Sequence, residues 1–375
     1  MTRRKPDDHE AQIEGLLSQA VGLPHGPTRV ELCEEAVRLA DLHNLDHLSS
    51  RAREELVDAA SFGGRPDLLI VTFAWCLSKF DQDADNDFSA YSLLWRMKWV
   101  VVALPKFAEI ELDTIDRMFD DMERRYRDYG GSIQPVVHKR RTVALQTGDV
   151  AAAAKYHQQL ARMSRSFLSD CHACELDSHA SYYFDLGKNA VGLRKAEALL
   201  ASGMSCAEVP DGTYADLLMP LVRLNRAADA MKYHKTGYPK VRRSVEYMWD
   251  WGDNIAYLAL TGNEDRAVKM LERHLADVEN SHNPLAQLAF LRSALLLMEV
   301  LADRKDKMRL RLPAESPLAN ASGEYVLSVL AKKLRKRVAD ESKKFDRRNG
   351  NDYYTEQLDE LAKVRKLATK VPYNG

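Results

Sequence analysis

A chain of 375 residues with 45% hydrophobic and 29% charged residues has enough apolar material for a packed core and is not the composition of a disordered protein. Lysine plus arginine (54) against aspartate plus glutamate (55) leaves a formal net charge of −1, so no global field draws the chain to nucleic acid or a membrane surface. Five cysteines are too few for a disulfide framework, MTRRKPDDHEAQIEG lacks the apolar stretch of a secretory signal, and no apolar run reads as long enough to span a bilayer; a cytoplasmic protein is expected.

Residues 1–8 read as a flexible tail and 9–130 as N-terminal helical hairpins. Helical patterns run over Ala11–Leu23, Pro27–Asn44, Leu45–Phe62, Asp67–Phe80, Ser89–Leu104 and Leu112–Tyr129. Pro66 stands in the first turn of its helix, where the missing N–H costs nothing. The acidic stretch Asp81–Phe88 invites a calcium-loop reading. An EF-hand loop starting at Asp81 needs Gly sixth and Glu twelfth, and those positions hold Asn86 and Ser92, so a solvated loop is expected instead.

Residues 131–303 carry a repeat. Turn-like sites recur at Gly148-Asp149, Gly187-Lys188, Asn225-Arg226 and Gly262-Asn263, in steps of 39, 38 and 37 residues. Gly and Asn tolerate the left-handed backbone that stops a helix. Five residues beyond each turn stands a small residue, Ala153, Gly192, Ala230 or Ala267, where two helices approach closely. Helical patterns flank every turn: Pro135–Thr147 with Val150–Met163, Asp170–Leu186 with Val191–Ala201, Thr213–Leu224 with Ala227–Lys235, and Val245–Thr261 with Glu264–Val278. A longer helix, Pro284–Asp303, follows. The expectation is an all-α, right-handed α-solenoid of antiparallel helical hairpins, because one hairpin cannot bury its apolar face alone.

LQTGDVAAAAKYHQQL and LALTGNEDRAVKMLERHL resemble the turn and second helix of tetratricopeptide repeats, and the wider stretch from Cys171 to Tyr238 resembles uncharacterised bacterial proteins carrying such repeats. The period here is a few residues longer than the standard repeat. The resemblance implies the stacked-hairpin fold and a scaffold role without naming a ligand.

Residues 304–375 change character. In Lys307–Leu318, Met308, Leu310 and Leu312 alternate with Lys307, Arg309 and Arg311, a strand signal followed by two prolines. Glu324–Phe345 reads as a basic helix, with nine basic and three acidic residues between Lys332 and Arg348. Tyr353–Lys370 reads as a last helix that caps the final hairpin.

One constellation points to site chemistry. Cys171 and Cys174 form a Cys-x-x-Cys pair, Cys206 follows in the next loop, and His234 lies near the end of the following second helix. In a stack of hairpins these positions share one edge. Three thiolates and an imidazole are the donor set of a closed structural zinc site, with His172 and Glu208 as alternative fourth ligands. Thiols packed as small hydrophobes and a redox pair remain open readings. Cys33 and Cys76 fall on apolar helix faces and are expected in the core.

No phosphate-binding loop, nucleotide-binding glycine turn, metalloprotease helix or nucleophile elbow is present. The leading expectation is a non-enzymatic scaffold that binds a protein or peptide partner in a concave groove. A nucleic-acid-associated protein using the basic helix 332–348, and an enzyme whose site is assembled from separate helices, are the alternatives.

Overall fold

The computed structural model describes residues 8–82 and 87–374. The tail reading therefore lies outside the described residues except at Asp8, which already belongs to the first helix; the heart of the candidate calcium loop, 83–86, also lies outside them. The chain is all-α. Its helices are arranged as hairpins, and a single pair of three-residue strands is the only sheet among the described residues.

The contacts divide the chain into two compact units. The first, residues 1–139 with 160–169 and 244–246, contains α1 (Asp8–Gly22), α2 (Pro27–Leu42), α3 (Asp46–Phe62), α4 (Pro66–Gln82), α5 (Ala90–Ala103) and α6 (Leu112–Asp128). Each helix packs on the next. Cys33 and Cys76 are buried, and burial pushes their thiols up to about 11 and about 12, as core residues require.

The second unit contains residues 140–159, 170–243 and 247–375. The helix α7 (Gln134–Gln146) runs into it and pairs with α8 (Val150–Leu160). Then come α9 (His172–Asp185) with α10 (Asn189–Ser202), and the pair α11 (Thr213–Asp216) and α12 (Leu218–Arg223) with α13 (Ala227–Val241). Next are α14 (Met248–Leu260) with α15 (Glu264–Glu279), and α16 (Pro284–Ala302). The single helix expected over Thr213–Leu224 is broken into α11 and α12. Pro220 has no N–H to give the Asp216 carbonyl, so the ladder is interrupted there. The helix expected to stop at Lys235 instead continues to Val241 through an internal Pro239.

The turns are alike. Gly148, Gly187, Asn225 and Gly262 sit at φ of 76, 67, 58 and 75°. In each, the residue after the turn returns its N–H to a carbonyl five positions earlier: Asp149 to Ala144, Lys188 to Tyr183, Arg226 to Leu221 and Asn263 to Leu258, at 2.8–3.0 Å. The small residues that follow are buried: Ala153, Ala230 and Ala267 have no exposed surface. A Cβ at Gly192 would stand 2.5 Å from the Phe184 ring.

The apolar helix α16 corrects the reading that no run could span a bilayer, since its 19 residues have the length and hydropathy to do so. It is a core helix here. Thirteen of its residues, among them Phe290, Leu291 and Leu297, are buried, and it packs between α14 and the long helix that follows.

The extended segment is β1 (Lys307–Arg309), paired antiparallel with β2 (Glu324–Val326). The sequence reading assigned Glu324–Val326 to the basic helix. The strand pairing captures these residues, and α17 begins at Leu327 and runs to Asn349. The final helix is also shorter than expected: α18 (Tyr353–Asp359) and α19 (Leu361–Arg365) replace one helix to Lys370.

Candidate metal centre and acidic face

The three repeat-region cysteines come together. Cys171 is the N-cap of α9, and its Sγ accepts the Cys174 N–H at 3.4 Å, so the Cys-x-x-Cys spacing wraps the first turn of the helix around one sulfur. Cys206 is delivered by the loop after α10, which Gly203 at φ 70° turns away from the helix axis. That loop is tied by Cys206 N–H to the Val209 carbonyl at 2.8 Å. Cys174 and Cys206 are 2.9 Å apart at sulfur, and the ligand atoms of all three cysteines lie within 4.8 Å of one another. Beneath them Ala173, Leu199 and Val209 form a small apolar floor.

The surroundings treat the sulfurs unequally. At Cys206 burial opposes ionisation. Hydrogen bonds from Cys174 and from the backbone N–H groups of Glu208 and Val209 outweigh it, and its thiol sits below the ordinary value. At Cys174 desolvation, and then the two neighbouring sulfurs, push the thiol far up. Three sulfurs at this separation would repel one another as free thiolates. A thiophilic cation between them removes that cost, and the cluster can hold a metal ion.

His234 is not part of the cluster, contrary to the expected donor set. Its ring is buried, its Nδ1 lies 2.6 Å from Asn254 Oδ1, and Tyr238, Tyr257 and Tyr373 surround it. The reason is the extra length of α13, which places His234 in mid-helix instead of at its end. The alternative fourth ligands, His172 and Glu208, also fall outside the group of converging donor atoms. Both are exposed.

A second feature was not anticipated. Asp177 on α9, Asp216 on α11, and Asp250 and Asp253 on α14 are half-buried in the second unit and lie close enough for their charges to act on one another, forming an acidic face. Thr213 Oγ1 donates to Asp177 at 2.5 Å, and Ser181 Oγ to Asp216 at 3.3 Å, linking α9 with α11. Asp250 Oδ1 approaches the backbone at Gly212. Loss of hydration raises all four carboxyls, and the Asp177, Asp216 and Asp253 charges hold Asp216 and Asp250 up further. Asp253, eased by Arg292 and Arg223, is pushed up to about 6. The signal for these residues was in the repeat itself. Asp216 and Asp253 stand nine residues before their turn residue and Asp177 ten, so three successive first helices each carry an acid about two and a half turns before their end.

The basic helix is largely engaged. Arg335 pairs with Glu299 at 2.5 Å and Arg337 with Glu279 at 2.7 Å, while Lys336 and Lys344 pair within the helix with Asp340 and Glu341. Lys332, Lys333, Lys343 and Arg347 are exposed. No protein-family model matches the chain, and no curated protein is significantly similar to it.

Proposed function

We propose that this chain is a non-enzymatic, tetratricopeptide-like cytoplasmic scaffold that binds a basic protein or peptide segment, with one zinc ion bracing the second unit. The observation that carries the partner reading is the acidic face. Three successive hairpins contribute carboxylates nine or ten residues before their turns, and among the described residues no cationic side chain pairs with Asp216 or Asp250 at ion-pair distance. Crowded carboxylates cost folding energy, and an incoming lysine or arginine recovers it. Solenoid repeats present such one-per-repeat side chains to extended ligands.

Zinc is the metal that best suits the donors. Zn–S bonds of about 2.3 Å in a tetrahedron set sulfurs about 3.8 Å apart, within the spread of the three observed here. It would tie the 203–212 loop to the start of α9.

The test is fluorescence anisotropy with a labelled Lys/Arg-rich peptide, an acidic peptide of equal length and a single-stranded oligonucleotide. The basic peptide should bind at least tenfold tighter than the acidic one, and Asp216→Asn with Asp250→Asn should abolish the difference. Equal affinity for both peptides rejects the reading. Salt-sensitive oligonucleotide binding at the expense of the peptide would move the assignment to the exposed cations of α17.

A further inference from the structure

We propose that the metal held by Cys171, Cys174 and Cys206 keeps a fourth coordination position open to solvent, and that this position takes the neutral imidazole of a histidine supplied from outside the chain. The proposal rests on the zinc reading above.

Four observations carry it. First, among the described residues exactly three donor atoms converge, all sulfur, so the protein completes only three corners of a tetrahedron. Three protein ligands with a vacant corner is the arrangement that admits an exchangeable ligand, whereas closed structural sites supply four. Second, the buried histidine on the neighbouring hairpin is committed elsewhere: His234 is held by Asn254 and walled in by three tyrosines. Third, the cluster lies at the surface. Cys171 is exposed, and so are Gly203, Met204, Ser205, Ala207 and Glu208 around Cys206. Fourth, charge selects the donor. Three thiolates on a divalent cation leave the centre at −1. Asp177 lies one turn beyond Cys174 on α9, and Glu208 acts on it electrostatically. A carboxylate or thiolate entering that position brings a second negative charge into this field, while a neutral nitrogen brings none. Imidazole is the neutral side-chain donor that zinc and cobalt accept.

The placement also joins the two features of the second unit. Asp177, the first carboxylate of the acidic face, stands three residues beyond the ligand Cys174 on α9. A basic segment lying on that face with a histidine at one end would engage both.

The experiment uses the untagged full-length chain loaded with Co2+, whose visible ligand-field bands report its coordination. Sulfur-to-cobalt charge-transfer absorption should appear on loading and be lost in Cys174→Ser. Titration with imidazole should shift the ligand-field bands to a saturating limit, and acetate at the same concentration should leave them in place. A Lys-rich peptide carrying one histidine should reproduce the imidazole shift at lower concentration than free imidazole, and the same peptide with alanine should not. Absence of the charge-transfer band defeats the metal reading itself. A normal band with ligand-field features that ignore imidazole defeats the open position, and a change on His172→Ala or Glu208→Gln would then name the internal fourth ligand. Equal response to acetate defeats the choice of donor.

Discussion

Asn351 donates its side-chain amide to the Thr147 carbonyl at 2.8 Å, across 204 residues of sequence. Tyr354 adds a bond from its hydroxyl to the Gln146 carbonyl at 2.5 Å. The last carbonyls of a helix have no partner within it, and here the C-terminal segment supplies the donors. The same device recurs at the fourth turn. Thr369 N–H reaches the Leu260 carbonyl at 2.9 Å and Val371 N–H the Thr261 carbonyl at 3.0 Å, with Asn263 returning a bond to Val371. The chain end thus fastens the Thr-Gly turns at both ends of the repeat instead of lying only on the last hairpin.

Asn351→Ala should lower stability by about 0.5–1.5 kcal/mol, the net worth of one such bond. Gly148→Ala should cost more. At φ 76° an L-residue is strained, and its Cβ would meet the Tyr353 side chain at 2.5 Å. Urea denaturation of the full chain measures both, and equal midpoints for Asn351→Ala and wild type would show that the clasp contributes nothing.

The repeat register has its own test. Ala267 has no exposed surface, so Ala267→Leu should overpack the α14–α15 contact by about 1–3 kcal/mol. Leucine at the exposed neighbour Lys269 should leave the denaturation midpoint almost unmoved.

The acidic face links stability to pH with a definite sign. Asp253 titrates at about 6 in the folded chain, above its unfolded value. Its protonated form is therefore the one folding favours. That contribution is complete below about pH 4 and is lost as pH rises through about 6. Asp253→Asn should match wild type near pH 3.5 and exceed it by about 1–3 kcal/mol at pH 7.5, measured as denaturation free energies at both pH values. Basic-peptide affinity should run the opposite way, strengthening as the carboxyls ionise. A pH-independent difference between variant and wild type would contradict the crowding of these groups.

Protein purified without added metal should carry about one zinc per chain by elemental analysis, as a single site requires. Chelation should lower the melting temperature while leaving helical circular dichroism at 20–25 °C nearly unchanged, because the metal braces one loop and one helix start. In the chelated protein Cys206 should alkylate ahead of Cys174, following the opposite directions of their thiols. Faster alkylation of Cys174 would show that the backbone N–H groups at Cys206 do not stabilise its thiolate.

Local periodicity was enough to place the hairpins. A left-handed turn residue followed five positions later by a small one is a backbone and contact requirement that each repeat meets within its own sequence, so Gly148, Gly187, Asn225 and Gly262 could be read directly. The Cys-x-x-Cys pair was legible for the same reason, being set by one turn of α9. Everything that joined distant segments depended on helix lengths that propensity does not set. Tertiary packing carried α13 through Pro239 to Val241 and set His234, in mid-helix, against Asn254 of α14 and its cage of tyrosines instead of the cysteines. It gave Glu324–Val326 to a strand partner, and it brought the chain end back to Thr147. The acids of α9, α11 and α14 read singly as surface charges. Only stacking of the first helices crowds them, because charges a repeat apart in sequence become neighbours when the hairpins align.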